Sequence, residues 1–129
     1  MFCTVLGQYP NLAKELLELI IGKEINHLVN IQTQKIMNYL HDTKHVRFDV
    51  YLEDENGTIY DLEMETTGNP GKLNMLVRRG RYYASALDTG IHREGTKYKD
   101  LRDIYVIYVC ANDPFPPNGL VRYTFTFNC

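Results

Sequence analysis

An Asn-Gly pair at positions 56 and 57 separates two runs in which apolar and polar residues alternate, VRFDVYLED before it and TIYDLEME after it. Period-two alternation on both sides of Asn-Gly is a strong hairpin signal, so residues 46–65 are predicted to form two antiparallel strands. A two-residue Asn-Gly turn and a three-residue loop, Glu55-Asn56-Gly57, are the available connections; the second puts Gly57 in the left-handed conformation such loops need. With the longer loop, Asp54 meets Thr58. Phe48 then faces Met64, Val50 faces Leu62 and Leu52 faces Tyr60 on one side of the hairpin. Arg47 faces Glu65, Asp49 faces Glu63 and Tyr51 faces Asp61 on the other. The two-residue turn slips the register by one and mixes the faces, so the three-residue loop is predicted.

This register sets two carboxylates, Asp49 and Glu63, against each other. Like charges directly opposite in a sheet destabilise it, and partial burial would raise the pKa of one of them. A divalent cation reverses that logic and holds both ionised. Hard oxygen ligands at a small site suit Mg²⁺ or Mn²⁺ better than Zn²⁺. A solvated charged face accounts for the same spacing, with Glu65 pairing across to Arg47 in a surface contact worth about 0.2–1 kcal/mol.

A chain of 129 residues is expected to be one domain, 1–129, with one core. No apolar run is long enough to cross a bilayer, and the start, MFCTVLGQYP, lacks a secretory pattern, so the expected location is the cytoplasm. Cys3, Cys110 and Cys129 are odd in number and lack zinc-type spacing; they are read as reduced thiols, with Cys110 in the core. His27, His41, His45 and His92 are not spaced as ligand pairs and are read as surface or loop residues. The net charge of −2 gives no overall attraction to nucleic acid. Any such contact must rest on a local patch, and Lys72, Arg78, Arg79 and Arg81 supply a candidate; a solvated helix face is the plain alternative.

The periodicity predicts a helix over 11–21, with Asn11 as N-cap, Gly22 as stop and Leu12, Leu16, Leu19 and Ile20 as buried stripe. A β-branched run predicts a first strand over 25–34, and 36–44 is ambiguous. A second helix is predicted over 73–88, burying Leu73, Leu76, Val77, Gly80, Tyr83, Ala84 and Leu87, with Gly80 allowing close backbone approach. Tyr82 falls on its exposed side. The apolar run 104–110 reads as a buried central strand. A Pro-rich loop follows over 112–119, and 120–127 alternates as a final strand, whose open edge offers a route to a homodimer.

The order of elements, together with PNLAKELLELIIGKEI, VRFDVYLEDENGTIYDLEMETT, RRGRYYASALD, GTKYKDL, YVIYVC, DPF and VRYTFTFNC, resembles the PD-(D/E)XK nuclease superfamily, and within it the recombination-promoting nuclease (Rpn) / transposase group. The resemblance implies an α/β, restriction-endonuclease-like core (αβββαβ) with a mixed central sheet flanked by helices. It implies a domain that binds Mg²⁺ or Mn²⁺ and cuts DNA, with no small-molecule substrate and no membrane partner. Asp49 and Glu63 match the family's metal-binding acids, with the Met64 backbone carbonyl as an extra ligand. Glu65 stands where the superfamily has Lys and this group Gln; it could serve as general base or third ligand. Lys72, Arg78, Arg79 and Arg81 would contact DNA phosphates, and Tyr82 a sugar or base. Ala84 replaces a Gln, and the chain ends earlier than members of the group usually do, which points to a C-terminal truncation. Glu65, Ala84 and the early end favour the alternative of a catalytically impaired remnant that binds DNA or protein.

Overall fold

The computed structural model describes residues 1–37, 45–66, 73–115, 119–120 and 122–126. Two helices, α1 (Phe2–Gln8) and α2 (Pro10–Ile21), precede three strands, β1 (Leu28–Met37), β2 (Val46–Asp54) and β3 (Ile59–Glu65). A long helix, α3 (Leu73–Ile91), and a single 3₁₀ turn (Tyr98–Asp100) lead to β4 (Ile104–Cys110). The strands form one sheet in the order β1-β2-β3-β4. β1, β2 and β3 pair antiparallel, and β4 pairs parallel with β3. A parallel neighbour requires a crossover, which α3 provides. The fold is thus a mixed α/β core with a four-stranded sheet flanked by helices, compatible with a restriction-endonuclease-like core.

The hairpin takes the register of the three-residue loop. Val50 pairs with Leu62, Tyr51 with Asp61 and Leu52 with Tyr60. Asp54 N–H donates to the Thr58 carbonyl, and Gly57 lies at φ 80°. The buried Asp54 carboxylate secures the loop by accepting the Asn56 and Thr58 N–H groups, both at 2.9 Å, and the Tyr60 hydroxyl.

The expected division into one apolar and one charged face does not hold. Val50, Leu52, Tyr60 and Leu62 pack with Leu6, Ala13 and Leu17 of α1 and α2. Val46, Phe48, Tyr51 and Ile59 pack on the opposite side with Ala86 and Leu87 of α3. Phe48 therefore leaves the face it was expected to share with Val50 and meets Tyr83 of α3 edge-on, with ring centroids 5.3 Å apart. The switch occurs at Gln34 and Asp49, which face each other across β1 and β2. Thr33↔Val50 and Lys35↔Phe48 are ladder pairs, while Gln34 at φ 54° interrupts the ladder between them. A left-handed residue rotates its strand locally, and the partner strand follows without a change of register.

α1 was not expected from the sequence. α2 begins one residue earlier than predicted, with Tyr9 as N-cap and Pro10 in the first turn, where its missing N–H costs nothing. Gly22 ends it as predicted, at φ 70° with its N–H donated to Glu18. The buried stripe is rotated: Ala13 and Leu17 are fully buried, whereas Leu12 is 44% and Leu19 80% exposed. Small Ala13 lets α2 approach closely, and the side facing α1 and the sheet outweighs the bulkier leucines.

β1 lies three residues later than predicted and takes in Ile36 and Met37; the rest of the ambiguous 36–44 segment lies outside the described residues. α3 runs a turn longer than predicted. β4, expected to be central, is the edge of the sheet among the described residues and is mostly half-buried, Cys110 included. The described residues of the expected terminal strand, 120 and 122–126, are not strand. His27 and His45 are exposed as expected and His41 lies outside the described residues. His92, in contrast, ties the end of α3 to the following loop: its Nε2 accepts the Arg102 N–H at 3.1 Å, and its Nδ1 lies 3.0 Å from the Asp88 carbonyl.

Gly80 is less constrained than the sequence implied. A β-carbon there would lie 3.5 Å from Tyr108 Cε2 and 4.0 Å from Val106 Cγ1, ordinary contact distances. Gly80→Ala is therefore expected to stabilise the protein by about 0.5–1 kcal/mol through helix propensity, read as a higher thermal midpoint; a lower midpoint would show that α3 needs the glycine against β4.

Candidate active site

The β2–β3 ladder ends at Val50↔Leu62, and beyond it side chains replace backbone pairing. Asp49 N–H donates to Glu63 Oε1 at 2.8 Å, and Met64 N–H donates to Asp49 Oδ2 at 3.1 Å. Each acid thus holds the opposite strand through one oxygen, and the two residues singled out from the hairpin register come together. Glu63 is only 5% exposed and Asp49 half-buried. The N–H and C=O of one strand residue point to the same side. Because Met64 N–H points to β2, its carbonyl does too, toward the stretch where the ladder has already ended. The Glu65 carbonyl points the other way and accepts the Ala111 N–H at 2.9 Å.

A third carboxylate, Asp61, lies behind the pair and was not singled out from the sequence. It is fully buried, and neither side-chain oxygen has a hydrogen-bond partner among the described residues. Burial first, then the charge and close approach of the Glu63 carboxylate and the charge of Asp49, pushes its pKa up to about 9, against a smaller opposing pull from Arg79. Burial likewise raises Glu63, with the Asp49 N–H working against the rise. The available signal was the i, i+2 spacing of Asp61 and Glu63, which places them on one strand face. What the spacing did not reveal is that α3 covers this face.

Buried carboxylates with an unsatisfied partner behind them, all hard oxygen donors, fit a hard divalent cation: its charge would remove the penalty that now raises these pKa values. Among the described residues, no group of three or more His, Cys, Asp and Glu is arranged to hold a metal ion by side chains alone.

Glu65 does not stand opposite Arg47 in the ladder, which stops short of it. It forms an ion pair with Arg79 of α3, Nη2 to Oε2 at 3.2 Å. Arg79 Nε donates to the Tyr108 hydroxyl at 3.2 Å, and its guanidinium carbon lies 4.7 Å from the centroid of the Tyr108 ring. Burial raises the Tyr108 and Tyr83 phenols above their ordinary range. Arg79 therefore turns toward the carboxylates, apart from Arg78 and Arg81, which are exposed on the outer side of α3. Tyr82 is 43% exposed and Tyr83 is half-buried against Phe48, as the helix periodicity predicted. Lys72 lies outside the described residues.

Among the described residues, no helix is long and apolar enough to cross a membrane. No curated protein and no solved structure matches the chain. A family model for PD-(D/E)XK nuclease family transposases matches residues 2–126. Nucleases of this kind generally use divalent metal ions and act on DNA. The match spans nearly the whole chain, and it agrees with a mixed sheet that carries two adjacent acids on neighbouring strands: this chain belongs to the PD-(D/E)XK nuclease family of transposases.

Proposed function

We propose that this protein is a metal-dependent DNA endonuclease of the transposase-associated type, hydrolysing phosphodiester bonds at the open end of the β2–β3 pair. The observation that carries this reading is the mutual capture of Asp49 and Glu63 where the ladder ends, with unpartnered Asp61 buried behind them. Asp49 and Glu63 would hold one Mg²⁺ or Mn²⁺, with the Met64 carbonyl as a third donor. When bound, such an ion supplies Lewis acidity toward a phosphoryl oxygen and lowers the pKa of water.

The chain's own residues do the rest. The backbone N–H bonds from Asp49 and Met64 keep the two carboxylates at fixed positions on neighbouring strands. α3 and the Phe48–Tyr83 contact exclude water from the inner side of the acids. Asp61 lies in this dry layer behind the two acids, where burial raises its pKa. Exposed Arg78 and Arg81, together with Lys72, would contact phosphates, which orients DNA without reading its sequence. Tyr82 would lie against a sugar or base.

The test is calorimetric titration with Mn²⁺ of wild type and Asp49→Ala, paired with plasmid nicking in Mg²⁺ and Mn²⁺. Wild type is expected to bind Mn²⁺ and nick with little sequence preference, and Asp49→Ala to lose both. Intact plasmid across both titrations would sink the endonuclease. A second reading, a catalytically impaired module that binds DNA or protein, is favoured by Glu65 and Ala84, where the group carries glutamines; Mn²⁺ binding without nicking would support it.

A further inference from the structure

We propose that Arg79 is the phosphate-binding cation of the cleavage site, and that Glu65 and Tyr108 are the positioning residues that hold it there. Glu65 thus acts through Arg79 and not as a general base. This inference rests on the nuclease reading above and goes beyond it in separating Arg79 from Arg78 and Arg81, placing its phosphate contact at the cleavage site, and in the role of Glu65.

The geometry comes from three elements. Arg79 projects from α3, Glu65 ends β3, and Tyr108 lies on β4, the strand parallel to β3. In that ladder Glu63 pairs with Tyr108 and Glu65 with Cys110, so the acid of the site and both anchors of Arg79 occupy adjacent positions. Tyr108 accepts from Nε and Glu65 accepts from Nη2, while the guanidinium lies over the Tyr108 ring. A guanidinium has five N–H donors in a rigid plane. Bonds to Nε and Nη2 along one edge fix the plane, and the donors of Nη1 lie on the other edge. The Arg79 side chain retains 38% exposure, enough for a phosphate to reach it, whereas the Glu65 side chain retains only 13%. The less exposed acid and the partly open cation are therefore a clamp and its working end, in that order.

Charge points the same way. Asp49 and Glu63 form an acidic site that would repel a DNA phosphate, and Arg79 is a cation of α3 whose field reaches Glu63 and Asp61 behind it. A preorganised donor at the place where charge develops is typically worth 10²–10³ in rate. Lysine could not reproduce the two-point attachment, because an ammonium has no fixed plane.

The experiment uses Arg79→Met, Arg79→Lys, Glu65→Gln, Glu65→Ala and the double variant Glu65→Ala/Arg79→Met. Each is measured for Mn²⁺ binding by calorimetry, nicking rate in Mn²⁺, and affinity for a labelled DNA duplex in EDTA across a salt series. Arg79→Met is expected to lose about 100-fold or more in nicking rate and to lower the salt slope of DNA binding by about one, with Mn²⁺ binding retained. Arg79→Lys should recover part of both. Glu65→Gln keeps an acceptor for Arg79 and should stay within about tenfold of wild type. Glu65→Ala should approach Arg79→Met, and the double variant should be no worse than Arg79→Met, since the two residues act as one unit. Inactive Glu65→Gln with an undiminished salt slope in Arg79→Met would overturn the inference, as would additive losses in the double variant. If wild type neither binds Mn²⁺ nor nicks, the nuclease reading fails by itself, and the coupling of Glu65 to Arg79 in the salt series still decides the phosphate contact.

Discussion

Glu63→Gln is expected to remove divalent-cation binding and DNA cleavage together while making the metal-free protein more stable. A glutamine carbonyl can still accept the Asp49 N–H that now bonds to Glu63 Oε1 at 2.8 Å, so the junction between β2 and β3 survives. What disappears is one negative charge beside fully buried Asp61. The Asp61 pKa is raised from an ordinary 3.8 to about 9, by burial first and by Glu63 next. The sign follows from proton counting. Between about pH 4 and pH 9 the folded state keeps a proton on Asp61 that the unfolded chain has released. Metal-free stability therefore falls as pH rises through this window, at up to about 1.4 kcal/mol per pH unit, and the raised pKa of Glu63 acts in the same direction. Removing the Glu63 charge should soften the gradient and raise the thermal midpoint at pH 8 by roughly 3–5 °C, the equivalent of about 1 kcal/mol. In wild type, Mn²⁺ should produce a comparable rise by binding only the folded state; in Glu63→Gln it should produce none. Melting curves at pH 5 and pH 8, in EDTA or Mn²⁺, test all of this. A variant that melts below wild type at pH 8 in EDTA, or one that Mn²⁺ still stabilises, contradicts the assignment. A site that costs stability when empty is a common price of function.

Phe48→Ala is expected to cost about 3–5 kcal/mol, the usual range for removing a buried aromatic ring. Phe48 is fully buried, and its ring meets Tyr83 at 5.3 Å and an interplanar angle of 78°. A domain of ordinary stability has about 5–15 kcal/mol in total, so the loss should show directly in urea unfolding. The location of the damage is the sharper readout. Because Phe48 lies under α3, amide exchange should quicken along α3 (Leu73–Ile91) and leave α2 (Pro10–Ile21) protected. Loosening of α2 instead would mean that Phe48 shares the face of Val50 and Leu52, as strict alternation first suggested.

Local chemistry was legible wherever one residue type has one conformational use. Gly57 could fill the left-handed loop position, Gly22 could end α2, and the Asn-Gly register by itself put Asp49 beside Glu63. Strand periodicity then assumed that parity persists along β2. It does not, because Gln34, on a different strand, adopts φ 54° and rotates the pair at Asp49. Nothing in β2 itself carries that information.

The same reason explains the site. The pair Asp49 and Glu63 is local to one hairpin, so its existence was set by turn geometry and side-chain alternation. The burial of Asp61 depends on α3 lying across the sheet, and the partner of Glu65 depends on Arg79 arriving from that helix and Tyr108 from β4. The primary structure determined how β2 pairs with β3 and which acids meet across them, because those contacts are arranged around one turn. Only the packing of α3 decided which charges are dry and which cation answers them, because no turn fixes how that helix crosses the sheet, and its geometry comes from the shape of the whole core.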